Sequence, residues 1–75
     1  MKIKIEPLFD SYYDCGHAGC SGGEEYGGRV WVDDQLVWEL IPHAGCWDNN
    51  YFPEGHEAGL IKKALEHLNI ELEIL

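Results

Sequence analysis

The chain is predicted to be an α+β domain: a single four-stranded, mainly antiparallel sheet with one helix on one face, in the order β-β-β-α-β. Three observations predict it. Apolar residues alternate with period two at the start, middle and end of the chain. Between residues 56 and 68 the repeat changes to steps of three and four. The segments between these stretches carry turn residues and no apolar period. Seventy-five residues make one domain, 1–75, near the lower size at which a single core suffices.

Taken in order, residues 2–9 place Ile3 and Ile5 on one face of a strand, and Pro7 marks an edge or an exit. Residues 10–28 hold Gly16, Gly19, Gly22, Gly23, Gly27 and Gly28 with no apolar repeat, so they read as a long loop. Loops of that length are usually functional or pinned. Residues 29–41 read as a hairpin whose turn is Asp33, Asp34 and Gln35. Across an even-length loop, pairing puts Trp31, Leu36, Trp38 and Leu40 on one face. Val30, Val32, Val37 and Ile41 then share the other with Glu39. Residues 42–55 form a second loop containing Trp47, Tyr51 and Phe52. The helix spans roughly 56–68, with Leu60, Ile61, Ala64, Leu65 and Leu68 as its apolar stripe. Asn69 ends it. Residues 70–75 then alternate as a last strand, with Ile70, Leu72 and Ile74 inward and Glu71 and Glu73 outward.

Charge narrows the function. Between Lys4 and Lys62 there are eleven acidic side chains and one basic residue, Arg29, and the net charge is −9. Such a surface repels nucleic acid directly and attracts basic protein. Disorder is excluded by composition, because 45% of residues are hydrophobic and three Trp, four Tyr and two Phe are present. Aromatic rings beside carboxylates make anchors for a lysine- and arginine-lined groove. The expected partner-binding residues are Asp10, Asp14, Glu24, Glu25, Asp33 and Asp34, with Tyr12, Tyr13 and Tyr26. A homodimer is a second use for the apolar hairpin face that carries Trp31 and Trp38. No apolar run approaches the roughly 20 residues of a membrane span. The alternating start is unlike an export signal, so the expected compartment is the cytoplasm.

His-Ala-Gly-Cys occurs twice, at His17–Cys20 and His43–Cys46, before and after the hairpin. A hairpin brings its ends together, so Cys15, Cys20, His43 and Cys46 offer three thiolates and an imidazole, a tetrahedral ligand set for structural zinc. Zinc would staple a small core. Two other readings stand beside it: three small buried apolar cysteines, or a Cys20–Cys46 bridge. Catalysis is not expected, because a nucleophilic thiol needs nearby positive charge and this chain offers little besides histidine. Glu24 with Glu25 and Asp33 with Asp34 are adjacent, so in extended chain they point opposite ways and make poor acid–base pairs.

In size, charge, the alternating Met1–Ile5 start and a short α+β layout, the chain resembles the small acidic inhibitors encoded by phages, including anti-CRISPR proteins and other DNA mimics. The resemblance carries no diagnostic motif and assigns no residue. It implies a protein of the bacterial host cytoplasm that occupies the basic nucleic-acid channel of a CRISPR surveillance complex. A zinc-binding structural domain that mediates protein–protein contact is the alternative.

Overall fold

Alternation at the N-terminus becomes β1 (Ile3–Tyr12), which pairs antiparallel with β2 (Gly23–Val32); β2 pairs antiparallel with β3 (Gln35–Leu40). The helix α1 (His56–His67) follows. These elements come from a computed structural model that describes residues 1–13, 22–71 and 73. The sheet order is β1-β2-β3, so β2 is central.

The expected fourth strand is a correction: the sheet has three strands among the described residues. Ile70, Glu71 and Glu73 lie outside regular structure and are exposed. Alternation specifies a face, but a strand also needs an edge to pair with. The backbone here is committed elsewhere. Asn69 takes φ 58°, its amide bonds the Glu66 carbonyl at 3.1 Å, and the Ile70 amide bonds the Leu65 carbonyl at 2.8 Å. That pair of bonds is the Schellman motif, which closes a helix with a left-handed residue. It spends the Ile70 donor on capping.

The long loop expected over residues 10–28 is likewise shorter. β1 continues to Tyr12 and β2 begins at Gly23, with Tyr12 opposite Gly23. Glycine misleads here because it serves close approach inside a strand rather than a turn. A Cβ on Gly28 would lie 2.7 Å from Leu60 Cδ2, and one on Gly23 would meet the carbonyls of Gly45 and Asp48.

The hairpin turn is Asp33-Asp34, with φ of 51° and 67°, the paired left-handed values of a two-residue hairpin loop. Faces do not fall as the uninterrupted register predicts. Trp31 pairs Leu36 while Val30 pairs Trp38, so Val37 is an extra residue on β3. This bulge turns Trp38 to the same side as Val30 and leaves Trp31 on the other. The two tryptophans thus lie on opposite faces.

On the helix side, Val30, Val32, Leu60 and Ala64 form the buried cluster, with Ile5, Val37, Trp38, Phe52 and Leu68 packed against it. A twelve-residue helix is about 18 Å long, whereas a ten-residue strand is about 33 Å. The helix therefore covers the half of β2 nearer the turn. His56 meets Gly27, Leu60 meets Gly28, and Ala64 joins Val32. Beyond Gly28, the β2 edge is paired instead by the second loop. The Glu24 amide bonds the Asp48 carbonyl at 2.9 Å, the Asn50 amide bonds the Glu24 carbonyl at 3.0 Å, and the Tyr26 amide bonds Asn50 Oδ1 at 2.6 Å.

The helix docks closely enough that a Cβ on Gly59 would enter the Phe52 ring. Replacing an interior helical glycine with alanine gains about 1 kcal/mol in propensity, but overpacking of this kind costs about 1–3 kcal/mol. Gly59→Ala is therefore expected to destabilise the protein in urea denaturation. The loss should shrink in a Phe52→Ala background, where the ring is gone.

Candidate functional site

The sheet ends differ in charge because of how the chain enters and leaves. At the turn end, Lys2 lies opposite the hairpin turn: its amide bonds Asp33 Oδ1 at 2.8 Å, and its carbonyl accepts from the Asp33 amide at 2.8 Å. Lys4 pairs with Trp31 in the register, and its Nζ sits 5.4 Å over that ring. Arg29 stands mid-sheet. Lys62 bonds Glu54 at 2.8 Å, and Lys63 lies 5.7 Å over the Trp38 ring. These five are all the Lys and Arg of the chain. None is placed at the other end, the distal end, where β1 finishes and β2 begins.

Arg29 is the neutralising centre of the face opposite the helix. Its Nη1 is 2.6 Å from Glu6 and its Nε 2.7 Å from Glu39, tying all three strands together. Hydrogen bonding from Glu39 first, then Glu6, raises its already high pKa. Two of the chain's carboxylates are thereby consumed internally.

The residues expected to bind a partner divide as follows. Asp10, half-buried, accepts the Ala44 amide at 2.9 Å, so it pins the second loop rather than facing outward. It lies directly opposite Glu25, a like-charge pair that is unfavourable across two strands. Glu24 is exposed and accepts from the Tyr13 hydroxyl at 3.4 Å. Tyr12 lies on the face away from the helix and is 38% exposed. Tyr26 lies on the helix side, with its ring 5.0 Å from Phe9 and 5.0 Å from His56. Asp33 is occupied by the Lys2 amide, and Asp34 is exposed beside it. Asp14 lies outside the described residues. Glu24, Glu25, Tyr12 and Tyr13 thus share the distal end, with Glu24 on the helix side, bonded by Tyr13, and Glu25 with Tyr12 on the other face. Asp33 and Asp34 stand apart, since Asp33 is eight residue steps along from Glu25, about 26 Å at strand rise.

Of the expected zinc ligands, Cys15 and Cys20 lie outside the described residues. His43 is exposed, and Cys46 is half-buried in the turn that it shares with Trp47. Among the described residues no group of three or more His, Cys, Asp or Glu side chains is gathered for a metal. Nor is any helix among them long and apolar enough to cross a membrane.

Sequence reasoning missed Phe9, which is 51% exposed, with its ring 5.0 Å from that of Tyr26 and tilted 53° to it. The signal was available: Phe9 shares the parity of Ile3 and Ile5, so it belongs to the helix side of β1, past the point that the helix reaches. It also missed His56 as a fastener. His56 Nε2 lies 2.7 Å from the Gly27 carbonyl, and its ring stacks on Phe52 with centroids 5.8 Å apart. A carbonyl only accepts, so Nε2 carries the proton.

Comparison of the chain with family models, curated proteins and solved structures returns no match.

The Glu54–Lys62 bridge supplies a pH test of the architecture. The Lys62 hydrogen bond holds the Glu54 carboxyl below the usual carboxylate range, and the same bond raises Lys62. A carboxyl depressed in the folded state contributes stability above its unfolded pKa, and that contribution fades as pH falls through the folded value. Lys62 contributes below its unfolded pKa and loses its share only in strong alkali. Glu54→Gln should therefore lower the urea midpoint at neutral pH. The difference should shrink as pH falls through the lowered carboxyl pKa, because protonation removes the same charge as the substitution.

Proposed function

We propose that this chain is an acidic binding protein that occupies the basic, nucleic-acid-binding surface of a protein partner, a bacterial CRISPR surveillance complex being the class the phage-inhibitor resemblance names. The observation that carries this reading is charge segregation: five cations lie mid-sheet, on the helix or at the turn end, and Glu24, Glu25 and Asp48 stand at the distal end with none beside them. Carboxylates placed so take the part of phosphates. They pair with arginine and lysine through charge-assisted hydrogen bonds and exclude nucleic acid from the same groups.

A magnitude limits the form of mimicry. The long axis measures 49 Å. A DNA duplex of that length carries about 29 negative charges at one per ~1.7 Å, against a net −9 here. The protein cannot match the duplex as a uniform line of charge. It competes by concentrating carboxylates at one end and adding apolar contact that phosphate lacks.

Displacement of labelled DNA from a surveillance complex tests the proposal. Raising salt from about 50 to 200 mM should weaken competition by the native chain. The double variant Glu24→Gln with Glu25→Gln should compete roughly tenfold less well, at the scale of one to two lost charge contacts. Asp34→Asn, at the compensated turn end, should change little. Equal competition by the double variant and the native chain at low salt would end the mimicry reading.

A further inference from the structure

Besides Tyr12, the sheet presents three aromatic surfaces, and two already hold a cation. Lys4 covers Trp31 at 5.4 Å and Lys63 covers Trp38 at 5.7 Å. The third is the Phe9–Tyr26 pair, with ring centroids 5.0 Å apart and planes inclined at 53°. It lies on the helix side at the N-terminal end of α1, where His56 packs edge-on against Tyr26 at 5.0 Å and Phe9 is the outer ring of the pair. Phe9 is 51% exposed, and no lysine or arginine among the described residues lies over it.

Beside this pair on the same face stands Glu24, two residues from Tyr26 along β2 and opposite Ser11 on β1. Two residues of strand are about 6.6 Å. A ring pair and a carboxylate at that spacing suit a flat cation that stacks by one surface and hydrogen-bonds by its edge. Guanidinium does both at once. An ammonium is a compact, strongly hydrated charge and makes the carboxylate contact without the stacking.

A second copy of the chain is the wrong occupant, since two copies would bring −9 against −9. The homodimer premise is also gone, because the bulge at Val37 sends Trp31 and Trp38 to opposite faces. From charge complementarity and the exposed Phe9 ring we infer that the Phe9–Tyr26–Glu24 face is a docking surface for arginine side chains of a basic protein partner. The inference rests on the acidic-binder reading and adds which face is used and which cation it prefers.

Fluorescence polarisation with labelled nona-arginine and nona-lysine peptides tests it at low salt. The native chain should bind the arginine peptide several-fold more tightly. Phe9→Leu, which keeps apolar bulk and removes the ring, should erase most of that preference by lowering arginine-peptide affinity about three- to tenfold, as loss of one partly desolvated cation–π contact predicts. Glu24→Gln should weaken both peptides. Circular dichroism and an unchanged melting temperature confirm that each variant is folded, and Phe9→Tyr should retain the preference if Phe9→Leu proves unstable. Equal affinity of the native chain for the two peptides overturns the arginine surface and leaves the acidic-binder reading standing. Absence of binding to either peptide at low salt overturns both.

Discussion

The fold turns on the seating of Leu60 against the bare backbone of Gly28. Leu60 is fully buried, and a Cβ at Gly28 would fall 2.7 and 2.9 Å from its two terminal methyls. With no side chain between them, helix and central strand approach more closely than a Cβ at Gly28 would allow. Everything else on the helix side follows from that depth. Gly59 is pressed against the Phe52 ring, His56 reaches the Gly27 carbonyl, and Ala64 fills the space over Val30 and Val32 without a larger side chain. Leucine in a pocket made of strand backbone cannot be exchanged for a smaller residue cheaply. In cores that relax only partly, truncation to alanine typically costs about 2.7–5 kcal/mol, a large share of what a domain this small holds.

That close contact also aligns the helix with one half of β2, and chain topology turns this into electrostatics. Four of the five cations come from the two ends of the sequence: Lys2 and Lys4 from the start of β1, Lys62 and Lys63 from α1. β1 starts beside the hairpin turn, and α1 runs along β2 from Gly27 toward Val32, also toward the turn. An asymmetry along the sequence becomes an asymmetry in space. Arg29, the exception, is held mid-sheet between Glu6 and Glu39.

What the sequence made legible, and what it hid, separates along physical lines. The helix was readable from Leu60, Ala64, Leu65 and Leu68, and its end from Asn69, because local spacing and a left-handed residue are local properties. The hairpin and its Asp33-Asp34 turn were readable for the same reason. The faces of Trp31 and Trp38 were not, since one unpaired Val37 inverts the parity of all that follows, and no local signal announces a bulge in an apolar run. The first six residues of β2 were hidden by their own glycines, which exist for neighbours distant in sequence: Gly23 for the Gly45 and Asp48 carbonyls, Gly28 for Leu60. Of the expected site residues, Tyr13 bonds Glu24, whereas Glu25 lies with Tyr12 on the opposite face, as alternation along a strand dictates. The bond between Asp10 and the Ala44 amide was hidden because the two lie 34 residues apart.

A three-stranded sheet ten residues long with a twelve-residue helix cannot be covered on one face by that helix alone. The usual remedies are a longer helix, a second helix or a loop folded across the gap. Here the loop goes to the sheet edge instead, where residues 48–50 satisfy the Glu24 and Tyr26 amides that β3 is too short to reach. Backbone donors left unpaired at an edge cost more than a half-exposed ring pair, because a phenyl group in water loses only part of its burial energy while an orphaned amide loses a hydrogen bond. The loop therefore settles the edge, and Phe9, beside a part-buried Tyr26, stays open to solvent on the face. The surface that could receive a partner is in this sense what remains once the central strand has been satisfied.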